Sequence, residues 1–137
     1  MKNIAAAIAC IAREIMAEDE FTVPKPIRLK PEGSTMNALE NARTISGAGY
    51  SFAHGTVHYD DQGGGVQEIE VFFRRGDEVA SHTFRGFNFG YHGEGPRGMA
   101  EFGKLMGIGL DSNKIFSHDY RASLQKKGAF DLVQLLG

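Results

Sequence analysis

The chain carries one cysteine, Cys10, among its 137 residues. That excludes an intramolecular disulfide and any zinc site built from a cysteine cluster, and it fits a reducing compartment such as the cytoplasm. No stretch approaches the roughly 18 consecutive apolar residues that a membrane-spanning helix needs, so no membrane partner is expected. Basic charge is not in excess either: Lys plus Arg total 15 against 17 Asp plus Glu, a formal net charge of −2. A duplex nucleic acid held by phosphate neutralisation is therefore not expected. Internal repeats are lacking, and Ser46, Ser51 and Ser117 do not sit in the G-x-S-x-G elbow of a serine hydrolase.

What is present describes one ordinary core. Hydrophobic residues make up 42% and charged residues 23%, which is incompatible with wholesale disorder. The length suits a single domain spanning residues 1–137. The N-terminus from Met1 to Cys10 resembles a miniature signal peptide, with Ala7-Ile8-Ala9-Cys10 near a lipoprotein cleavage box. Its apolar run is short for that purpose, and Ile4, Ile8, Ile11 and Ile15 continue past it at helical spacing. An amphipathic helix over residues 3–17 accounts for all four.

Pro24, Pro26 and Pro31 make Thr22 to Glu32 extended. Ser34 to Asn41 reads as one helical turn capped by Ser34 or Thr35. From Arg43 the period changes to two: Tyr50, Phe52, His54, Thr56 and His58 share one face of a strand over Thr44 to Tyr59, opposite a thin face of Gly47, Gly49, Ser51, Ala53 and Gly55. Something bulky, the first helix for instance, should cover that thin face. Val66 to Arg74 and Val79 to Phe89 follow as strands around an Arg75-Gly76-Asp77-Glu78 turn. A helix runs from Pro96 to Gly107 with Met99, Phe102 and Met106 buried, and a last helical region runs from Tyr120 to Leu136, interrupted near Gly128. The expected fold is α+β: an N-terminal helix, an antiparallel meander and two C-terminal helices.

Between the third strand and its helix stands the densest group of unusual residues, Phe87 to Met99. Gly93, Gly95 and Gly98 spell G-x-G-x-x-G, with Pro96 at the helix start. Unpaired backbone N–H groups at such a mouth suit an anion, most often a phosphate. A dinucleotide-binding Rossmann site would need a parallel βαβ unit, and the antiparallel context fails that test. Two readings stay open, a phosphate or nucleotide contact of another kind and a purely structural strand-to-helix turn. Arg85 and Arg97, with Arg74 or Arg75 across the hairpin, could complete an anion site with planar guanidinium forks. Phe87, Phe89 and Tyr91 could stack a base, or belong to the core. His92 lies between them and the glycines.

Five histidines raise the question of a metal. His54 and His58 lie about 13 Å apart at roughly 3.3 Å per strand residue, too far to share a zinc ion. His82, His92 and His118 have no ligand spacing, so no metal and no cofactor is expected. His54 or His92 could act as a general base.

The stretch Phe89-Gly90-Tyr91-His92-Gly93-Glu94-Gly95-Pro96-Arg97-Gly98-Met99 resembles a strand-to-helix signature of small uncharacterised phage and prophage α+β proteins. The order of sheet and C-terminal helices is similar to that of phage anti-defence sponges of the Thoeris anti-defence 1 type. That resemblance implies sequestration of a nucleotide-derived signalling molecule without cleavage, by a homo-oligomer. It carries over no individual binding residue. The expected binding set, drawn from the residues themselves, is Arg85, Phe87, Phe89, Tyr91, His92, Gly93, Gly95, Arg97 and Gly98. Two other functions fit the sequence: an inhibitor that blocks a host defence protein through surface complementarity, and a small histidine-dependent hydrolase or transferase.

Overall fold

The computed structural model describes residues 27–124 and 127–137. The helix expected over residues 3–17 and the first half of the proline-rich strap lie outside them. Residues 27–34 form neither helix nor strand.

The first described helix, α1 (Thr35–Gly47), is far longer than the single turn expected at Ser34 to Asn41. Ser34 caps it, its hydroxyl accepting from Asn37 N at 3.1 Å. Ala38, Ala42 and Ile45 recur at i, i+4 and i+7 and are all fully buried. The expected strand from Thr44 is therefore wrong at its start. Gly47 and Gly49 fit a thin strand face by composition, but Gly47 closes the helix, and Gly49 at φ 93° turns the chain out of it.

Strands β1 (Ser51–Asp60), β2 (Gly65–Arg75) and β3 (Glu78–Phe84) form the expected antiparallel meander. A bulge at Ala53 shifts the β1 register, so that Phe52 faces Phe73 and His54 faces Phe72. Phe52 thereby leaves the face of His54, Thr56 and His58 on which alternation placed it. Its ring comes against Gly55 on the core side, with Cε2 3.2 Å from where a Cβ would stand. The thin face at Gly55 is covered by Leu132 of the C-terminus, also 3.2 Å from that Cβ position.

β3 stops at Phe84, five residues before its expected end at Phe89. The chain there passes beneath α1: Thr35 Oγ1 donates to Gly86 O at 2.6 Å, and a Cβ on Gly86 would lie 2.4 Å from Ser34 O. Helix α2 (Glu94–Met106) follows, starting two residues before the expected Pro96, with Met99 and Phe102 fully buried, Met106 only partly so, and Gly107 ending it in the left-handed conformation, φ 67°.

The C-terminal region departs most from expectation. In place of one interrupted helix it holds α3 (Ser112–Ile115), α4 (His118–Leu124), β4 (Lys127–Asp131) and α5 (Leu132–Leu136). The interruption near Gly128 is a strand, which pairs antiparallel with the free side of β1 and gives the sheet order β3-β2-β1-β4. Five residues with one large apolar side chain, Phe130, carry too little periodicity to announce a strand. Its partner β1 supplies the pairing.

The fold is α+β. One hydrophobic core joins Ala38, Ala42 and Ile45 of α1, Val57, Val71 and Phe84 of the sheet, Met99 and Phe102 of α2, and Leu132 and Leu136 of α5. No helix among the described residues is long and apolar enough to cross a membrane. Leu132 is fully buried over Gly55. Leu132→Ala is expected to cost about 2–5 kcal/mol, read as a lower urea midpoint with unchanged slope.

Candidate functional site

Residues 85–93 connect β3 to α2 as a loop whose alternate side chains at 87–91 point in and out. Phe87 and Phe89 point in, 3% and 0% exposed. The Phe87 ring centroid lies 5.6 Å from Phe84 and 5.1 Å from Phe102; that of Phe89 lies 5.4 Å from Tyr59. Both rings are core, and neither offers a face to a base. Tyr91 is different. At 39% exposure it is one of the exposed large apolar residues of the described chain. His92 is also exposed and stacks on Phe116, with centroids 5.1 Å apart and planes 13° from parallel.

Asn88, between the two buried rings, fastens the loop. Its Oδ1 accepts from Val66 N at 3.1 Å and from Phe89 N at 2.9 Å, while its Nδ2 donates to Gly64 O at 3.1 Å. Gly90 follows at φ 93°, with its N–H on Ile115 O at 2.7 Å. A Cβ there would lie 2.4 Å from Arg121 Cδ. These contacts need glycine for both its backbone angle and its missing side chain.

The G-x-G-x-x-G glycines permit close approach, and what approaches is the protein itself. The Tyr91 ring lies across the first two: Cε2 is 2.8 Å from a Cβ built on Gly93, and the hydroxyl is 2.9 Å from one built on Gly95. At Gly98 a Cβ would meet Thr35 Cγ2 at 2.3 Å and Phe87 Cδ1 at 3.0 Å. Gly93 is the α2 N-cap without a capping side chain, and its carbonyl accepts from Arg97 N at 3.1 Å and Arg97 Nε at 3.2 Å. Arg97 thus turns back on its own helix start.

Tyr91 is the common wall of two surface depressions. One, of about 340 Å³, is lined by Thr35, Arg85, Asn88, Tyr91, Glu94 and Gly95 among others. The second, of about 490 Å³, is lined by Asp61, Gly90, Tyr91, His118, Arg121 and Ala122. Arg85 Nη2 is 3.2 Å from Glu68 Oε2, with the Arg85 side chain 43% exposed. Arg121 donates from Nε to Tyr59 Oη at 3.2 Å, and Tyr59 donates to Asp61 at 2.9 Å. Burial, then the Asp61 hydrogen bond, pushes the Tyr59 phenol above its ordinary value.

The structure therefore brings together Arg85, Tyr91 and Gly95 of the expected set and places Phe87, Phe89 and Gly98 in packing. Arg74 and Arg75 do not join them. Arg74 pairs with Val79 beside the β2–β3 turn, while Arg85 lies beyond Phe84, which pairs with Ile69 at the other end. Five strand residues separate those positions, about 16 Å. Asn88, Asp61, His118 and Arg121 were not expected. Asn88 had a signal, a lone amide between two buried phenylalanines; the other three lie on a turn and a helix that only the fold brings to Tyr91. Among the described residues no group of three His, Cys, Asp or Glu could hold a metal ion.

Behind Arg85 sits a buried polar knot. Glu32 Oε2 is 2.8 Å from His82 Nε2, both side chains 5% exposed. Asn41 Nδ2 donates to the same carboxylate at 2.6 Å, and Arg85 N donates to Glu32 Oε1 at 2.8 Å. Asn41 also exchanges hydrogen bonds with Lys30 N and O. The knot ties residues 27–34, α1, β3 and the site loop to one carboxylate. Burial raises the Glu32 pKa, but His82, the Arg85 N–H and Asn41 outweigh it and hold the group below its ordinary 4.5.

A depressed carboxylate pKa means stabilisation that is complete above the unfolded-state value and lost as pH falls through the lower folded-state value. Glu32→Gln should therefore lower stability by about 1–3 kcal/mol at neutral pH. In urea titrations across pH, its gap from the wild type should begin to narrow as pH falls below about 4.5, the ordinary value, and close only below the lower folded-state value. A gap independent of pH would contradict this. At the motif, Gly98→Ala should destabilise by about 1–3 kcal/mol despite the better helix propensity of alanine. Thr35→Ser, which removes Cγ2 and keeps the Oγ1 bond to Gly86, should recover part of that loss in the double variant, a coupling that a double-mutant cycle reads directly.

Comparison with protein-family models, with curated proteins and with solved structures finds no match. The resemblances to phage proteins drawn from residues 89–99 and from the order of elements accordingly stand on the sequence alone.

Proposed function

We propose that the chain binds, without transforming it, a small phosphate-bearing molecule derived from a nucleotide, and does so as a cytoplasmic homo-oligomer. The observation that carries this reading is Tyr91, an exposed ring held between two depressions of about 340 and 490 Å³. Both volumes fall within the range of small-molecule sites. An aromatic face with open sides stacks a base, a contact worth about 1–3 kcal/mol by truncation. Arg85, on one side of the ring, offers a guanidinium to phosphate. Glu94 can accept a hydrogen bond from a ribose or base on the same side. Arg97 and the buried rings Phe87 and Phe89 have supporting parts in this scheme: Arg97 closes the helix start, and the rings seat the loop.

Native mass spectrometry of the purified protein with linear and cyclic nucleotides tests it. Retention of an intact ligand is expected, weakened roughly 5- to 150-fold by Tyr91→Ala, as loss of one stacking contact implies. Arg85→Gln should weaken phosphate-bearing ligands more than the matching nucleosides. Failure of every nucleotide to bind would sink the proposal and favour the protein-blocking reading, whereas a ligand of altered mass would make the protein an enzyme.

A further inference from the structure

On the sheet, away from Tyr91, three side chains with complementary chemistry meet. Asp131 Oδ1 lies 3.2 Å from His54 Nδ1, and His54 Nε2 lies 3.3 Å from Thr56 Oγ1. The fold brings them together in a specific way. His54 and Thr56 are two residues apart on β1 and so share a face. Asp131 is the residue of β4 directly opposite Thr56. The bulge at Ala53 sets the position of His54, as bulges do where a side chain must be re-aimed.

The arrangement also fixes protons. An ionised carboxylate can only accept, so the proton of a neutral His54 ring belongs on Nδ1, facing Asp131. Nε2 is then left as a lone pair toward the Thr56 hydroxyl. Asp131 is itself held, because its other oxygen, Oδ2, caps α5 by accepting from Gln134 N at 3.0 Å. The side chains of His54 and Asp131 are 27% and 29% exposed, enough for a small reagent to reach them. Nucleophile, base and orienting acid in hydrogen-bond sequence are the signature of an activated hydroxyl, and such contacts are often loose without substrate.

We infer that Thr56 is an activated nucleophile, with His54 as its general base and Asp131 as the residue that positions His54, and that it accepts acyl groups from activated esters. In the step, Thr56 Oγ bonds to the acyl carbon as its proton passes to His54 Nε2. The bond from that carbon to the alcohol oxygen breaks, and its electron pair leaves with the oxygen. The products are an O-acyl threonine and the free alcoholate, and His54 returns its proton to solvent or to the leaving group. Thr56 stands on a strand paired on both sides, with Glu70 and with Asp131. The backbone N–H of Thr56 itself is thus committed to the ladders and cannot serve as an oxyanion hole. Acyl transfer from a reactive donor is therefore expected to stop at the acyl-protein. This inference does not rest on nucleotide binding.

The test is incubation of the full-length protein with p-nitrophenyl acetate, following intact mass and then mapping the modified residue by peptide mass spectrometry. The expected result is one acetyl group on Thr56, formed in a burst without sustained turnover. Thr56→Ser should retain labelling and Thr56→Ala should lose it. His54→Gln should slow it about 10²- to 10⁴-fold, the usual contribution of a general base. Asp131→Asn keeps a residue able to cap α5 but cannot hold the imidazole proton in the same way; labelling should slow while circular dichroism stays unchanged. Absence of acetyl on Thr56 in the folded wild type, or labelling of Thr56 at the same rate in His54→Gln, would overturn the inference.

Discussion

Helices α1 and α2 touch at a point where one of them has no side chain. Gly98 presents bare backbone to Thr35 Cγ2 and the edge of Phe87, so closely that one added carbon would stand 2.3 Å from the threonine methyl. Much else follows from that approach. Thr35 can reach Gly86 O only because α1 comes this low. The hydrogen bond and the backbone contact at Gly86 end β3, and they send Phe87 inward against Phe84 and Phe102. The loop then has its inward residues filled and its outward ones, Tyr91 among them, available.

The same economy applies to the other glycines of the motif. A glycine-rich strand-to-helix turn is commonly a place where a ligand's phosphate comes near the backbone. Here the nearest approach is taken by Tyr91 and Asn88, and the space that glycine leaves is used to lay a tyrosine ring along a helix start. What stays exposed is therefore the ring that covers the helix mouth and the depressions beside it, while the backbone of the mouth is covered. Glu32 fixes the frame from below: one buried carboxylate receives hydrogen bonds or charge from His82, Asn41 and the Arg85 N–H, and so ties residues 27–34, α1 and the loop together. A buried carboxylate survives there because each of its oxygens has a donor.

Where the sequence was readable, it was readable for local reasons. The strand over Val66 to Arg74, the turn at Gly76 and the Met99–Phe102 spacing before Gly107 each involve neighbours close along the chain, and each marks its element. It misled where two periods fitted the same small residues. Gly47 and Gly49 serve equally as a thin strand face or as the end of a helix, and the burial of Ala38, Ala42 and Ile45 decides for the helix. Phe52 shows a second kind of failure, since a single bulged residue exchanges faces and no pattern announces it.

The antiparallel meander, the helix that follows it, the α+β class and the location of an unusual loop at residues 87–99 were determined by the sequence itself, through side-chain periodicity and the backbone freedom of glycine and proline. Which of that loop's rings are core, what fills the space left by its glycines, and that β4 exists were decided only by tertiary structure. The reason is the same in each case. Phe87 and Tyr91 are alike as sequence but differ in which distant residues lie against them, and Lys127–Asp131 becomes a strand because β1 has an unpaired side. The meeting of Asp131 with His54 and Thr56 depends on that pairing across 77 and 75 positions of chain, a contact no local pattern encodes.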